Sequence, residues 1–362
     1  LHNTSSAHPG PPSWAYHPTM AVTLIATGGT IASTRDADGG VTASLTGADL
    51  VDALDPADLS ACGGPTEIDV VDAPVPGSWN MSTARAAEVV GLAAEAIASG
   101  AEGVVITHGT DVLEETAWLA ELLVSPRHDA PVLMCASMRH ASEFAGDGPR
   151  NLFDALRVAA DPSSRGRGVM VCANGELHHS RWVTKTHATA VNTFESPGRG
   201  PVGEVGEQAV RFLAPSPDAP PALDGRLDST VPVVGSHWGA DPDLIDWYVD
   251  RGADGFVVEA SGAGNVNSAL VEGLGRALEA GRPVVVASRC RRGEATPIYG
   301  GAGGFATLHA AGAVSSRGLT AGKARPALQL ALGVAGAMSE PVGPADLFER
   351  LATPGWVGVS QR

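Results

Sequence analysis

The residues best suited to chemistry lie in two threonine-bearing loops, and each loop directly follows an apolar run typical of a buried strand. The first loop, residues 27–30 (TGGT), follows residues 22–26, and the second, residues 107–111 (THGTD), follows residues 103–106. In open parallel sheets, functional residues gather at the carboxyl ends of the strands. A threonine hydroxyl near backbone N–H donors can act as a nucleophile once a base takes its proton. The two loops therefore predict a threonine nucleophile at one edge of a sheet.

The first loop taken alone has competing interpretations. A Walker phosphate loop ends in Gly-Lys-Ser/Thr and the dinucleotide fingerprint reads GxGxxG, and residues 28–33 (GGTIAS) match neither pattern. A plain tight turn after a strand is also open, since such a turn needs no catalytic purpose. The second loop favours catalysis, because it brings another threonine and a carboxylate to a second strand end.

Lysine is scarce in this chain, and its scarcity makes Lys185 a candidate base. Of the 24 basic residues only two, Lys185 and Lys323, are lysines. A lysine among apolar or cationic neighbours can be tuned to act as a base, whereas arginine does not deprotonate in proteins. Asp111 could orient this lysine while Thr110 carries a proton or positions a water. The alternatives are an ordinary exposed lysine for Lys185 and a helix N-cap for Asp111, and for His108 a loop-ordering role is favoured.

Composition predicts a large acidic globular protein. Of 362 residues, 44% are hydrophobic and 18% charged, which suffices for a large core and argues against extensive disorder. The net charge of −16 disfavours general binding to nucleic acid or to an anionic membrane, because the average field repels phosphate. The four cysteines are far apart, so there is no CxxC zinc or redox motif, and Cys135 and Cys172 are expected to be buried. No apolar run approaches the length of a membrane span.

Alternation of apolar runs with helical stretches predicts an α/β fold with parallel sheets. In the first part of the chain we expect strands at residues 22–26, 68–73, 103–107, 132–136 and 169–173 and helices at 46–54, 82–99, 112–124 and 151–160. The alternation restarts after the proline-rich segment 215–225, with strands at 231–236, 255–260 and 283–288 and helices at 241–251, 268–280 and 323–335.

This restart predicts two domains. We expect an N-terminal catalytic α/β domain at residues 20–214, a linker at 215–230 and a C-terminal α/β domain at 231–362. Residues 1–19 are rich in Pro, Ser and His and are expected to form a disordered leader, with Met20 as a natural beginning. The leader has neither the basic start nor the long apolar run of a secretory signal, so a cytoplasmic location is expected.

The residues of these loops resemble the bacterial-type L-asparaginases, the asparaginase/glutaminase family. Residues 26–32 (ATGGTIA) and 106–116 (ITHGTDVLEET) look like the two signature motifs of that family. The similarity continues through residues 131–139, 147–152, 183–186, 262–265 and 323–332, and so spans roughly residues 21–340.

The resemblance implies a larger N-terminal and a smaller C-terminal parallel-sheet domain, and a homotetramer built from intimate dimers with active sites between subunits. It also implies hydrolysis of L-asparagine to L-aspartate and ammonia through a threonine acyl-enzyme, with weaker action on L-glutamine. Neither a metal nor an organic cofactor is implied.

The resemblance also assigns residues to roles. It makes Thr30 the acylated nucleophile and Thr110, Asp111 and Lys185 its companion triad. Asp111 also receives the substrate α-amino group, and backbone N–H groups near Gly29 and Thr110 hold the oxyanion. The remaining substrate-binding positions are Ser78 (for the α-carboxylate), Trp79, Gly109, Ser137 (beside the scissile amide) and Asn265 (reaching into the partner subunit's site).

The sequence departs from the family at two places. The lid loop, residues 33–44, has no tyrosine, and the tyrosines of the chain are Tyr16, Tyr248 and Tyr299. No acid stands at the family's position after residues 288–290, although Glu294 lies near. We hypothesise that Tyr299, or a hydroxyl such as Thr42, partly fills the gap left by the missing tyrosine.

Three other functions compete with asparagine hydrolysis. One is a glutaminase-asparaginase of balanced activity, because a single methylene changes binding by only about 1–3 kcal/mol. Another is a subunit of a tRNA-dependent amidotransferase, which the net charge of −16 disfavours. The third is a non-catalytic amino-acid-binding module, which the intact set of Thr30, Thr110, Asp111 and Lys185 disfavours.

Overall fold

The computed structural model describes residues 21–335 and 342–355. The expected leader at residues 1–19, together with Tyr16 and Met20, lies outside the described residues. The strands are β1 (Ala21–Ala26), β2 (Ser33–Arg35), β3 (Val41–Ala43), β4 (Glu67–Asp72), β5 (Gly103–Thr107), β6 (Val132–Cys135), β7 (Val169–Ala173), β8 (Glu176–His179), β9 (Thr184–Lys185), β10 (Phe194–Glu195), β11 (Gly203–Val205), β12 (Val210–Phe212), β13 (Val233–Gly235), β14 (Phe256–Ala260), β15 (Val284–Ser288) and β16 (Val314–Ser315). The helices are α1 (Gly47–Asp52), α2 (Pro56–Ala61), α3 (Thr83–Ala98), α4 (Leu113–Leu123), α5 (Gly148–Ala160), α6 (Leu244–Asp250), α7 (Ser268–Glu279), α8 (Phe305–Ala310), α9 (Ala321–Ala335) and α10 (Pro344–Ala352).

The larger sheet runs in the order β12-β11-β8-β7-β6-β5-β1-β4. Its strands from β4 to β7 are parallel, and β5, β6 and β7 are buried along their whole length, as expected of strands covered on both faces. Helices α3 and α4 pack on one face and α1, α2 and α5 on the other. Beyond β7 the sheet continues antiparallel through β8, β11 and β12, an edge that the apolar runs did not predict.

The smaller sheet, β13-β14-β15-β16, is parallel throughout. One face packs against α6, α7 and α8, and the other packs against α9 and α10. Trp118 and Leu122 of α4 join the second cluster beside Leu328 of α9, so a helix of the large domain contributes to the core of the small one. None of the described helices has the length and apolar character needed to cross a membrane.

The predicted elements agree with the structure to within a few residues. The strands expected at 103–107 and 169–173 have those bounds, and Ser82 caps α3 by accepting a hydrogen bond from the backbone N–H of Arg85. Cys135 and Cys172 are fully buried, as expected. The lid loop differs, since β2 and β3 form a hairpin there in which Thr34 pairs with Thr42.

Candidate active site

The two threonine loops begin side by side because β1 and β5 are neighbouring parallel strands. The last residues of the strands, Ala26 and Thr107, pair in register, and Thr27 Oγ1 donates to the carbonyl of Thr107 at 2.7 Å. Gly29 has φ of 85°, and a Cβ on it would lie 2.6 Å from Gly109 Cα. Only glycine fits this approach, so the glycines hold the two loops in contact.

A third loop adds Ser78 to the same place. Ser78 begins a short 3-10 turn, Ser78–Asn80, and its Oγ accepts from the backbone N–H of Asp111 at 3.2 Å. The Ser78 hydroxyl also lies 3.5 Å from Asp111 Oδ2. A Cβ on Gly109 would come within 2.7 Å of that hydroxyl, so the second glycine is required here too. Trp79, the next residue, is 72% exposed.

Lys185 reaches the second loop from β9. Its Nζ donates to Thr110 Oγ1 and to Asp111 Oδ1, both at 2.8 Å. The immediate partners of the amine are therefore a hydroxyl and a carboxylate, and not the apolar or cationic neighbours expected of a lysine base. Because Thr110 Oγ1 accepts from Lys185, the proton of the threonine hydroxyl is directed away from the lysine.

The interpretation of Asp111 as the N-cap of α4 is wrong. The helix begins at Leu113 with Val112 as its N-cap, and no side chain caps it. Glu114 and Glu115 lie in the first turn, where the helix dipole favours negative charge. The Asp111 carboxylate is engaged by Lys185 instead.

Thr30 is the residue after Gly29, which packs closely against the second loop. It begins a 3-10 turn, Thr30–Ala32, that is tied down when Ser33 Oγ donates to the carbonyl of Gly29 at 2.8 Å. Ile31 is buried and Thr30 is only partly buried. The Thr30 hydroxyl makes no hydrogen bond to any residue that the structure describes, so it is available to a ligand.

Ser137 and Ile31, the residue that follows Thr30, both lie near the start of α5. It is buried at the end of β6, and its Oγ donates to the carbonyl of Arg139 at 2.8 Å. A Cβ on Gly148 would lie 2.9 Å from Ile31 Cγ1 and 3.5 Å from Ser137 Cβ, which places both around the start of α5.

Two residues that sequence reasoning assigned no role hold the backbone of Lys185. Glu114 Oε2 accepts from the N–H of Lys185 at 2.9 Å, and Arg291 Nη1 donates to its carbonyl at 2.8 Å. Glu114 lies in the second motif, three residues after Asp111. This position is the signal by which the sequence could have indicated a role for it. Arg291 carried none, because its contact spans 106 residues of sequence.

His108 has the geometry of a loop-ordering residue. It is fully buried, and burial lowers its pKa, so the imidazole is neutral at pH 7. Its Nδ1 lies 2.7 Å from the carbonyl of Gly109, and in the neutral ring this nitrogen donates.

Asn265 is not brought to the threonine loops of its own chain. It lies after β14 in the small domain, where its Oδ1 accepts from the N–H of Phe305 at 3.4 Å. It lines a cavity of about 390 Å³ together with Trp238 and Arg289. Its reach into the site of a second copy stays a prediction.

The two hydroxyls suggested for the missing tyrosine lie on different elements. Thr42 is exposed on β3, and its neighbour Ala43 lies 3.5 Å from where a Cβ on Gly28 would be, so the hairpin covers the first loop. Tyr299 is 58% exposed in the small domain, ahead of α8. β3 lies against the turn Thr30–Ala32, but no hydrogen bond among the described residues joins Thr42 or Tyr299 to Thr30, and the hypothesis stays untested.

A cavity of about 950 Å³ lies between the two domains and reaches Asp111 and Lys185. Arginines from the small domain, including Arg291 and Arg292, line its other side. Among residues 21–335 and 342–355, no group of three His, Cys, Asp or Glu side chains could hold a metal ion.

The fold defines the class of the protein as a two-domain α/β protein with a large N-terminal sheet domain and a smaller C-terminal parallel one. Residues 21–217 match the family model "Asparaginase, N-terminal", and residues 230–340 match "Glutaminase/Asparaginase C-terminal domain". The chain therefore belongs to the asparaginase family, which confirms the resemblance of its two motifs.

Similar proteins support this membership. A probable L-asparaginase from Deinococcus radiodurans is 38% identical over 253 residues, which cover 68% of this chain and 76% of the relative. A probable periplasmic L-asparaginase from Haemophilus influenzae is 32% identical over 336 residues, covering 86% and 88%. The crystal structure of a probable cytoplasmic L-asparaginase from Campylobacter jejuni superposes with a TM-score of 0.77 at 27% identity, covering 91% of this chain and 98% of that one.

Proposed function

We propose that this protein hydrolyses the side-chain amide of L-asparagine to L-aspartate and ammonia through an acyl-enzyme on Thr30. Asparagine hydrolysis follows from membership of the asparaginase family and from the L-asparaginases among its relatives. The mechanism rests on one observation above the others. Lys185 Nζ lies 2.8 Å from both Thr110 Oγ1 and Asp111 Oδ1, at the loop that Gly29 brings against Thr30.

Substrate binding uses the Asp111 carboxylate of the second loop and the Ser78 hydroxyl of the third. Asp111 keeps Oδ2 for the α-amino group of asparagine, because Lys185 engages Oδ1. Ser78, 3.5 Å from Oδ2, stands beside the position of the α-carbon and contacts the α-carboxylate. Trp79 and Ser137 complete the pocket, with Ser137 beside the amide.

Acylation begins when Thr30 Oγ1 attacks the side-chain amide carbon. The hydrogen bond between Thr110 and Lys185 reverses in this step: Thr110 takes the proton of the Thr30 hydroxyl and passes its own proton to the Lys185 amine. The proton returns to the leaving nitrogen as the C–N bond breaks, which releases ammonia. Backbone N–H groups near Gly29 and Thr110 stabilise the oxyanion, each donor contributing about 3 kcal/mol. The remaining β-aspartyl ester is then attacked by water, the ester C–O bond breaks, and Thr30 regains its proton.

The same site accepts glutamine more weakly. The longer side chain carries its amide one methylene further from the α-amino anchor at Asp111. One methylene changes transition-state binding by about 1–3 kcal/mol, so we expect measurable glutamine turnover below that of asparagine.

The assembly is part of this proposal. We expect a cytoplasmic homotetramer of intimate dimers, with domains at residues 20–214 and 231–362 joined by 215–230, and with Asn265 completing the site of the partner. Mixing Thr30→Ala with Asn265→Ala subunits tests the shared site, since each mixed dimer regains one site without either substitution. Mixtures no more active than the separate variants would exclude a site shared in this way.

Ammonia release from asparagine by wild type and by Thr30→Ala tests the nucleophile. We expect a loss of roughly 10³-fold or more in kcat, because no other hydroxyl occupies this position. Thr66→Ala is the matched control, since Thr66 is exposed before β4 at the opposite end of the sheet. Full activity of Thr30→Ala would overturn the assignment.

A further inference from the structure

The two lysines of the chain belong to one hydrogen-bonded network. Lys323, on α9 of the small domain, is only 1% exposed. Its Nζ donates to the carbonyl of Arg181 at 3.1 Å and to the carbonyl of Val183. These carbonyls lie four and two residues before Lys185, so the buried lysine holds the segment that carries the other lysine.

A carboxylate closes the network on its other side. Glu114 Oε2 accepts from the N–H of Lys185 at 2.9 Å, and Glu114 Oε1 accepts from Thr320 Oγ1 at 3.0 Å. Thr320 Oγ1 also accepts from the N–H of Lys323 at 3.4 Å, at the start of α9. Glu114 therefore links the backbone of Lys185 to the same helix end that supplies Lys323.

The segment held in this way has little support from a sheet. Within the part of the chain that the structure describes, β9 pairs only with β10, over two residues, Thr184 with Glu195 and Lys185 with Phe194. The large sheet, which positions the threonine loops, does not include β9. The direction of the Lys185 side chain thus depends on contacts from outside the sheet.

We propose that Glu114, Thr320 and Lys323 form a clamp that positions Lys185 against Thr110 and Asp111, so that the small domain sets the geometry of the reacting groups in the large one. The clamp residues are positioning residues, because Glu114 and Lys323 hold the backbone of residues 181–185 and Thr320 joins Glu114 to the start of α9. This inference rests on the proposed function of Lys185.

The chemistry of a buried amine suits this task. Burial lowers the pKa of Lys323 to about 8, with Glu114 and Glu115 opposing the shift and Arg181 adding to it. At pH 7 the amine is charged and offers three N–H donors to carbonyls that would otherwise lack partners in the interior. A buried hydrocarbon of the same length would fill the space but release the carbonyls.

Two substitutions test the clamp. Thr320→Val is isosteric and removes the hydroxyl between Glu114 and α9, and Lys323→Met keeps an unbranched side chain one atom shorter and removes the donors. We expect each to lower kcat for asparagine at least about tenfold with KM changed by less than about threefold, since a misplacement of about 1 Å costs roughly 10²-fold. We measure kcat and KM of each variant under conditions in which its unfolding curve shows that it is fully folded.

Gln329→Met is the matched control. Gln329 lies on the same helix and also reaches outside it, donating to the carbonyl of Ser229 at 2.8 Å and accepting from Thr83 of α3 at 3.1 Å. It does not touch the segment of Lys185. We expect lower thermal stability with kcat within about twofold of wild type, and a tenfold loss in this control would mean that any damage to α9 impairs catalysis, which overturns the clamp.

A double-mutant cycle that combines Thr320→Val with Lys185→Met gives the readout specific to positioning. Ammonia release is followed over hours, so that the residual turnover of Lys185→Met can be measured. If Thr320 acts through Lys185, Thr320→Val lowers kcat in wild type but adds less than about twofold to Lys185→Met. Additive losses would overturn the clamp. If Lys185→Met keeps the wild-type kcat, the proposed function is overturned. If Lys185→Met is inactive but Thr320→Val and Lys323→Met are folded and fully active, the clamp alone is overturned.

Discussion

Gly29→Ala is the change that tests most sharply how the two threonine loops meet. A Cβ on Gly29 would lie 2.6 Å from both Cα and N of Gly109, and an ordinary contact needs at least 3.4 Å, so the loops must separate by about 0.8 Å. The contacts are with backbone atoms, which cannot rotate away. A displacement of this size between Thr30 and Thr110 lowers kcat about 100-fold, which corresponds to about 2.7 kcal/mol in the barrier.

The same substitution also destabilises the fold. Gly29 has φ of 85° and ψ of −175°, a region that side chains adopt at a cost of about 1–3 kcal/mol, and overpacking adds about 1–3 kcal/mol. Gly63→Ala is the matched control, since Gly63 has φ of 76° and nothing within 4 Å of a new Cβ. We expect it to lose about 1 kcal/mol or more of unfolding free energy while kcat stays within twofold.

The assay is ammonia release under saturating asparagine, with urea unfolding of each variant measured in parallel. Gly29→Ala should fall well below Gly63→Ala in kcat at equal folded fraction. If Gly29→Ala keeps kcat within threefold of wild type, the close approach of the loops does not set the catalytic geometry and the reasoning is refuted.

Two further changes probe charge. Lys185→Arg should lose most of kcat although it keeps the positive charge, because arginine does not exchange a proton; retained kcat, measured by ammonia release, would leave Lys185 a purely electrostatic role. Burial raises the pKa of Glu121 from 4.5 to about 7, so its contribution to stability is complete below pH 4.5 and is lost as the pH rises through 7. Wild type should therefore lose about 3 kcal/mol more than Glu121→Gln between pH 4.5 and 7.5 in urea unfolding, and parallel curves would contradict this.

Much of the arrangement could be predicted from the sequence because glycines and hydroxyls directly after apolar runs mark the carboxyl ends of strands. This signal is local, and it located both threonine loops and the strand bounds at residues 103–107. Lys185 stood out because lysine is rare in this chain. The structure brings its amine to Thr110 and Asp111, the residues that the sequence grouped with it.

The remaining features depend on contacts between distant segments. Asp111 could satisfy a helix N–H or a lysine amine, and only the position of β9 decides between them. The support of Lys185 by Glu114 and Arg291 joins segments 71 and 106 residues apart. No role for Lys323 could be predicted from the sequence, because nothing in residues 181–183 shows that their carbonyls need a donor from the small domain.

The most direct test of the account is to identify the residue that becomes acylated. Wild-type enzyme is mixed with asparagine, quenched in acid within the first turnover, digested and examined by mass spectrometry. The account predicts a β-aspartyl ester on the peptide that contains Thr30, formed at the rate of the first ammonia release and absent from Thr30→Ala. An ester on the peptide that contains Thr110, or ammonia release with no ester on any peptide, would contradict it.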